Sequence, residues 1–175
     1  LAVRLAPEDQ SSRWYPGAGI YRHVWIDATG PVHVARWGSY VTTPSVTDVQ
    51  ATVDVRIEVR NRSSAPQSVT VQTLVLDATG KTVGSASGAA AIPALATEVV
   101  TGRIQVSAPV RWDVSRPVLY RAVTLVKDAE RTLDRYETPF GIRTIAFDKT
   151  KGFLLNGRPL KLRGVCMHHD LGALG

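Results

Sequence analysis

The stretch TVDVRIEVRN, residues 52–61, alternates apolar and charged side chains without a break. Because successive side chains of a β-strand point to opposite faces, this pattern predicts a strand with one buried face and one solvated face. The sequence predicts that four apolar residues are buried and that four charged ones face solvent. The apolar set is Val53, Val55, Ile57 and Val59, and the charged set is Asp54, Arg56, Glu58 and Arg60.

The same alternation recurs along the middle of the chain. SVTVQTLVLDATGKTV continues it through Val69, Val71 and Thr73 and then turns at DATGK into a second strand. Further strand candidates are EVVTGRIQV, LYRAVTLVKD and RTLDRYETPFGIR, whereas GSASGAAAIPALATE is interpreted as a loop or an edge. About seven strands without a convincing helix indicate an all-β chain folded as an antiparallel β-sandwich.

The charge of the chain, formally +6 with a pI near 9.8, raises the question of nucleic-acid binding. The arginines are scattered from Arg4 to Arg163 and mostly alternate with apolar residues, so a solvated outer face is the better interpretation. No run approaches the roughly 18 apolar residues of a membrane span. We therefore expect neither a nucleic-acid nor a membrane partner, and the sequence assigns no compartment.

Cys166 is the single cysteine, which excludes an internal disulfide and a cysteine-based zinc site. No cofactor is expected.

The two ends of the chain differ from its middle. GIYRHVWIDAT, residues 19–29, alternates as a strand without an evident partner, and GFLLNGRPLKLRGV contains Asn156-Gly157, the strongest signal for a type I′ hairpin. Both elements are interpreted as parts of neighbouring domains, and the chain is expected to be cut from a longer protein.

Four stretches in this order closely resemble glycoside hydrolase family 2, the family of β-galactosidases, β-glucuronidases and β-mannosidases. They are SRWYPGAGIYRHVWI, RWDVSRPVLYRAV, ETPFGIRTIAFD and GFLLNGRPLKLRGVCMHHDLGALG. The resemblance implies that residues 1–29 end a jelly-roll sugar-binding domain, that 30–147 form an immunoglobulin-like β-sandwich, and that 148–175 start a TIM-barrel catalytic domain. It implies a parent enzyme, most like a β-galactosidase, that hydrolyses terminal β-glycosides with retention. The sandwich would pack against both neighbouring domains.

The resemblance also implies substrate-binding residues. His168 follows the first barrel strand in RGVCMHHD, at the family position where a histidine contacts a sugar hydroxyl, and Arg13 and Trp14 lie in a loop near the sugar pocket. Two other interpretations of the His-His-Asp run stay open, a structural pair and a metal site. Adjacent strand residues point to opposite faces and do not easily converge on one ion. For Arg13 and Trp14 the alternative is a structural turn.

Retaining hydrolysis needs a pair of carboxyl groups, which in this family are two glutamates on later barrel strands. Every glutamate of the chain falls in the expected jelly-roll or sandwich region: Glu8, Glu58, Glu98, Glu130 and Glu137. We therefore expect no catalytic residue here and no activity from the chain alone. The alternative is a free-standing carbohydrate-binding or adhesion sandwich, which the lack of Phe, Trp or Tyr between Thr47 and Val106 disfavours.

Four residues at the entry to the expected strand LYRAVTLVKD are predicted to be anchors of the sandwich: Trp112, Pro117, Leu119 and Tyr120. In TPFGIR, Gly141 is predicted to allow a bulge or a close approach. Arg143 is predicted to pair at the interface with the barrel.

Overall fold

The structure is a computed structural model that describes residues 2–4, 6, 20, 23–129 and 131–166. Within these ranges every regular element is a β-strand, and no helix there is long and apolar enough to cross a membrane. The chain divides into two compact units, residues 29–162 and residues 1–28 with 163–175. In the latter unit the described residues have no regular secondary structure, and the rings of His23 and Trp25 meet edge to face with centroids 5.9 Å apart.

The described residues of the unit 29–162 form ten strands. They are β1 (Val32–Val46), β2 (Gln50–Asn61), β3 (Gln67–Leu76), β4 (Thr82–Ile92), β5 (Thr97–Ser107), β6 (Tyr120–Asp128), β7 (Arg131–Phe140), β8 (Ile145–Asp148), β9 (Gly152–Leu155) and β10 (Arg158–Pro159). One sheet has the order β1-β2-β5, and a second has the order β4-β3-β6-β7. β8, β9 and β10 form a small third sheet, called here the hairpin. All pairs are antiparallel, which confirms the immunoglobulin-like β-sandwich.

The core lies between the two large sheets and follows the predicted alternation. Val53, Val55, Ile57 and Val59 are each exposed by 4% or less, and the charged residues between them are exposed or half-exposed. On β3 the predicted inward set, Val69, Val71 and Thr73, is buried as well. Thr73 is accommodated because its hydroxyl lies 3.0 Å from the hydroxyl of buried Thr124 on β6. Burying one large apolar side chain contributes about 1.5–3 kcal/mol to the free energy of unfolding, and the sum of these contributions stabilises the core.

The Ala- and Gly-rich segment forms β4, at the edge of the four-stranded sheet. Its small residues are required by the approach of β5: a Cβ at Gly84 would lie 2.6 Å from Cγ2 of Ile104, and one at Gly88 would lie 2.9 Å from Cγ1 of Val100. The prediction of an edge is therefore confirmed, and the low complexity reflects a close contact between the two sheets.

The structure differs from the sequence-based expectations in two places. Residues 23–28 of the expected first strand form no strand, because no other described segment pairs with their backbone groups.

Of the four expected anchors, Tyr120 is buried and its hydroxyl accepts a hydrogen bond from Val110 N (2.9 Å), but Leu119 is 46% exposed and Pro117 is also exposed. The expectation for these two was wrong, because the residues between Trp112 and Tyr120 form a surface turn rather than a buried approach to β6.

Candidate functional site

The substrate-binding residues predicted from the sequence, Arg13, Trp14 and His168, lie outside the described residues. The same holds for His169 and Asp170. Within the described ranges no group of three or more His, Cys, Asp or Glu side chains is placed to hold a metal ion. The described site with the clearest bearing on function is therefore the connection between the sandwich and the hairpin.

We call this connection the junction and define it by Trp112, Asp113, Gly141, Arg143 and Asn156. It brings together the loop before β6, the segment after β7, and the turn of the hairpin. The backbone first joins two of these parts, since Trp112 N donates to Ile142 O at 2.8 Å. Ile142 is fully buried and so attaches the segment after β7 to the sandwich core.

Gly141 and Trp112 are in direct contact. A Cβ on residue 141 would lie 2.6 Å from Cβ and 2.7 Å from Cγ of Trp112, distances that real atoms do not adopt. The prediction of a close approach at Gly141 is confirmed. The glycine is needed because the indole packs directly on the backbone of the chain as it leaves β7.

Arg143 continues the same packing. Its guanidinium carbon lies 5.0 Å from the centroid of the Trp112 ring, within the range of a cation–π interaction. Its carbonyl oxygen accepts a hydrogen bond from Thr43 Oγ1 at 2.7 Å, which links the junction to β1. Arg143 forms no ion pair within the described ranges, so its predicted pairing with a barrel residue stays a prediction.

Asn156 connects the hairpin to the loop before β6. Both turn residues have positive φ, 51° for Asn156 and 76° for Gly157, as a type I′ turn requires, so the predicted hairpin is confirmed. The side chain of Asn156 donates from Nδ2 to Trp112 O at 2.9 Å and accepts from Thr144 N at 3.2 Å. One residue thus sets the turn and ties it to a loop that lies 44 positions earlier.

Asp113 provides the negative charge of the junction. The pKa of its carboxyl is lowered, chiefly by a hydrogen bond from Ser115 N, with smaller contributions from Asn156, the Ser115 hydroxyl and the charge of Arg158; burial opposes the shift. The carboxylate accepts from Ser115 and from Asn156 Nδ2, and these hydrogen bonds favour its ionised form.

Other carboxyl groups also have pKa values below their ordinary value. The pKa values of Asp54, Asp77, Glu137 and Asp148 are also lowered, mainly by hydrogen bonds from neighbouring side chains: Arg103, Thr79, Arg135 and Thr150 respectively. A general acid in glycoside hydrolysis needs the opposite shift, a raised pKa. These carboxylates are suited to holding structure rather than to donating a proton.

The family is decided by comparison with known proteins. The sequence model described as "Glycosyl hydrolases family 2" matches residues 32–143, which span β1 to β7 and reach Arg143 of the junction. The chain belongs to glycosyl hydrolase family 2. The resemblance inferred from its motifs is thereby confirmed.

Relatives within the family extend the match over the whole chain. It is 47% identical to "Beta-galactosidase BoGH2A" of Bacteroides ovatus, over 100% of this chain and 21% of that protein. It is 30% identical to a "Beta-glucuronidase" of Formosa agariphila, over 86% of this chain and 16% of that protein. A crystal structure of a family 2 member from Bacteroides cellulosilyticus matches 93% of this chain and 22% of its own, with a TM-score of 0.85 and 36% identity. The chain thus spans about a fifth of the length of these relatives.

Proposed function

We propose that the chain is the sandwich portion of a retaining family 2 glycoside hydrolase that acts on terminal β-glycosides, and that β-galactosides are its substrates. The name and the 47% identity of the Bacteroides ovatus relative support the choice of β-galactosides over β-glucuronides. In this proposal residues 1–29 end a jelly-roll domain, 30–147 are the sandwich, and 148–175 start the catalytic barrel.

The role of the chain in this enzyme is structural. The observation that carries the proposal is the junction, where Asn156 hydrogen-bonds to Trp112 O and Gly141 packs on the indole. These contacts fix the direction in which the hairpin leaves the sandwich. A hairpin that opens the catalytic domain would transmit that direction to the active site, where small displacements of reacting groups lower the rate strongly.

The chemistry itself is assigned to residues of the parent enzyme beyond this chain. A retaining mechanism uses two carboxyl groups about 5–5.5 Å apart, one of them with a raised pKa. The lowered pKa values of Asp54, Asp113 and Glu137 do not suit that task. The carboxylates of the sandwich therefore serve ion pairs and turns in this proposal.

Three residues of the chain are proposed to contact the sugar in the complete enzyme. His168 would exchange hydrogen bonds with a sugar hydroxyl, because a neutral imidazole both donates and accepts. Trp14 would offer an aromatic face to the sugar ring, and Arg13 would donate to its hydroxyls. These roles rest on the family motif around each residue.

The proposal is tested with nitrophenyl β-galactoside and nitrophenyl β-glucuronide, each incubated with the 175-residue chain and with the complete enzyme. We expect the complete enzyme to cleave the galactoside in preference and the chain to release no nitrophenol above buffer. Turnover by the chain after removal of host glycosidases would contradict the structural role. A preference for the glucuronide would contradict the assignment of the substrate.

A further inference from the structure

The Asn156-Gly157 pair at the turn of the hairpin has a chemical property besides its structural one. Asparagine is a thermolabile residue, because the backbone nitrogen of the following residue can attack its side-chain amide. Glycine presents that nitrogen without the obstruction of a Cβ. Asn156 is half-buried and Gly157 is exposed, so water reaches the turn. The hairpin therefore combines a reactive amide, an accessible nucleophile and the water that completes the reaction.

The junction restrains the amide at both of its ends. Nδ2 of Asn156 donates to Trp112 O at 2.9 Å, and Oδ1 accepts from Thr144 N at 3.2 Å. Closing a five-membered ring through Cγ turns the amide toward Gly157 N and fixes ψ of residue 156 at a value that a type I′ turn does not have. The reaction therefore requires that the hairpin first lets go of the loop before β6, a local opening of the fold.

We propose that Asn156 is a site of spontaneous deamidation whose rate is set by the opening of the junction. Gly157 N attacks Cγ of Asn156, a C–N bond forms, and the amide nitrogen leaves as ammonia with the proton of the attacking N–H. Water then opens the resulting succinimide at either of its two carbonyl groups. The products are aspartate and isoaspartate, and in isoaspartate the main chain runs through the side-chain methylene. The reaction needs no cofactor and no second protein.

Either product weakens the junction. An ionised carboxylate only accepts hydrogen bonds, so residue 156 can no longer donate to Trp112 O. Its oxygens would also face Asp113, whose carboxylate oxygen lies 3.4 Å from Nδ2 of Asn156 and is itself an acceptor. Isoaspartate in addition lengthens the backbone within the turn. Because the reaction is irreversible, a junction that opens transiently becomes permanently weaker with time.

Peptide mapping by mass spectrometry tests the proposal, with Asn61 as the internal control. Asn61 is the other asparagine of the chain, is fully buried, and donates from Nδ2 to Ala65 O and Pro93 O. In the folded chain at neutral pH we expect Asn156 to convert to aspartate and isoaspartate while Asn61 keeps its amide. In urea the conversion of Asn156 should be several-fold faster.

Two results of the mapping would overturn the proposal. Equal rates for Asn156 in the folded and the unfolded chain would show that the junction does not control the reaction. No conversion in the folded chain, after the unfolded chain has converted completely, would show that Asn156 is not modified in the folded protein. The readout is the mass of a peptide, so it does not depend on the proposed function.

Two alanine variants separate the chemistry from the loss of stability. Gly141→Ala disturbs the indole contact of the junction and leaves the nucleophile intact, so it should raise the rate at Asn156 several-fold. Gly157→Ala strains the turn, since φ is 76° there, yet it places a Cβ beside the attacking nitrogen and should lower the rate several-fold. Gly30→Ala should keep the wild-type rate, because its Cβ would meet nothing closer than Leu133 O at 3.8 Å.

Thermal melts establish that each variant is folded during the incubation. A faster reaction in Gly157→Ala would overturn attack by the backbone nitrogen, because the rate would then follow stability alone. A folded Gly141→Ala chain with the wild-type rate would overturn control by the junction.

Discussion

The α-carbon of Gly141 lies against the indole of Trp112 so closely that a Cβ there would be 2.6 Å from Cβ of the tryptophan. Trp112 also receives the side chain of Asn156 on its carbonyl oxygen and the guanidinium of Arg143 over its ring. Trp112 therefore links the loop before β6 to the segment after β7 through its side chain, and to the hairpin through its carbonyl oxygen. The hairpin residue that it contacts lies 44 positions further along the chain.

Gly141→Ala should destabilise the chain. The methyl group meets the near end of the indole rather than a flexible tip, so Trp112 must move, at a cost of about 1–3 kcal/mol in the free energy of unfolding. Gly30→Ala is the matched control, because a Cβ there would meet nothing closer than Leu133 O at 3.8 Å. Urea unfolding of both variants checks this. Equal stability of the two would mean that the contact at Gly141 is not tight in solution.

Asn156 should contribute to stability in two separable ways, through its side-chain hydrogen bonds and through its tolerance of a positive φ. Asn156→Gly keeps the positive φ but removes the hydrogen bonds to Trp112 O and Thr144 N, and should lower the free energy of unfolding by about 1 kcal/mol. Asn156→Ala removes the same bonds and adds the cost of a left-handed backbone, about 1–2 kcal/mol more. Denaturation of the three proteins measures both steps. Identical losses for glycine and alanine would contradict the backbone contribution.

The ion pair between Asp54 and Arg103 predicts a pH dependence of stability. Arg103 donates to both carboxylate oxygens of Asp54 at 2.7 Å, and this contact lowers the pKa of Asp54 in the folded chain. The pair therefore stabilises the fold fully above the unfolded-state pKa, about 3.9, and the contribution is lost as the pH falls through the lower folded-state pKa.

Asp54→Asn should accordingly cost stability near neutral pH and nothing in strong acid. Because the Arg103 side chain is 68% exposed, solvent screens the pair and we expect the difference in stability to be small. Unfolding of both proteins between pH 7 and pH 2 measures the difference. In an Arg103→Gln background the substitution should have little effect at any pH, and a persistent difference there would assign the effect to another partner.

His168 should matter for rate and His169 for stability in the complete enzyme. Loss of a hydrogen bond that strengthens in the transition state lowers both kcat and kcat/KM. For His168→Ala a loss of about 1–3 kcal/mol corresponds to roughly 5- to 150-fold in rate. The measurement is kcat/KM of both alanine variants, with thermal melts as the check on folding. A greater kinetic loss in His169→Ala would assign the sugar contact to the other histidine.

The sequence predicted the features that a short run of residues determines, namely the buried face of a strand and the type of a turn. The alternation of β2 specified which of its side chains are buried, and Asn156-Gly157 specified a hairpin turn, because strand parity and positive φ are set within a few residues. It did not predict the partner of the Asn156 side chain, Trp112, which is 44 positions away. Contacts of that range are set by how the sheets pack, which no local pattern encodes.

The outward positions of Leu119 and Trp37 were not foreseen for related reasons. Leu119 was expected in the core from its neighbours in RWDVSRPVLY, but the turn before β6 places it at the surface. Trp37 lies in an irregularity of β1, where residues 35–38 face Glu58 alone. Its weak sequence signal is the glycine at position 38, which is needed because the backbone of β2 comes close at Glu58. The predicted sugar contacts of Arg13, Trp14 and His168 stay predictions.

The central claim, that the junction positions a catalytic domain, is tested most directly by the kinetics of Gly141→Ala in the complete enzyme with nitrophenyl β-galactoside. We predict a folded enzyme whose kcat/KM is reduced by about 10- to 100-fold, as expected for displaced reacting groups. Gly30→Ala should retain wild-type kinetics. A folded Gly141→Ala enzyme with wild-type kcat/KM would contradict the claim.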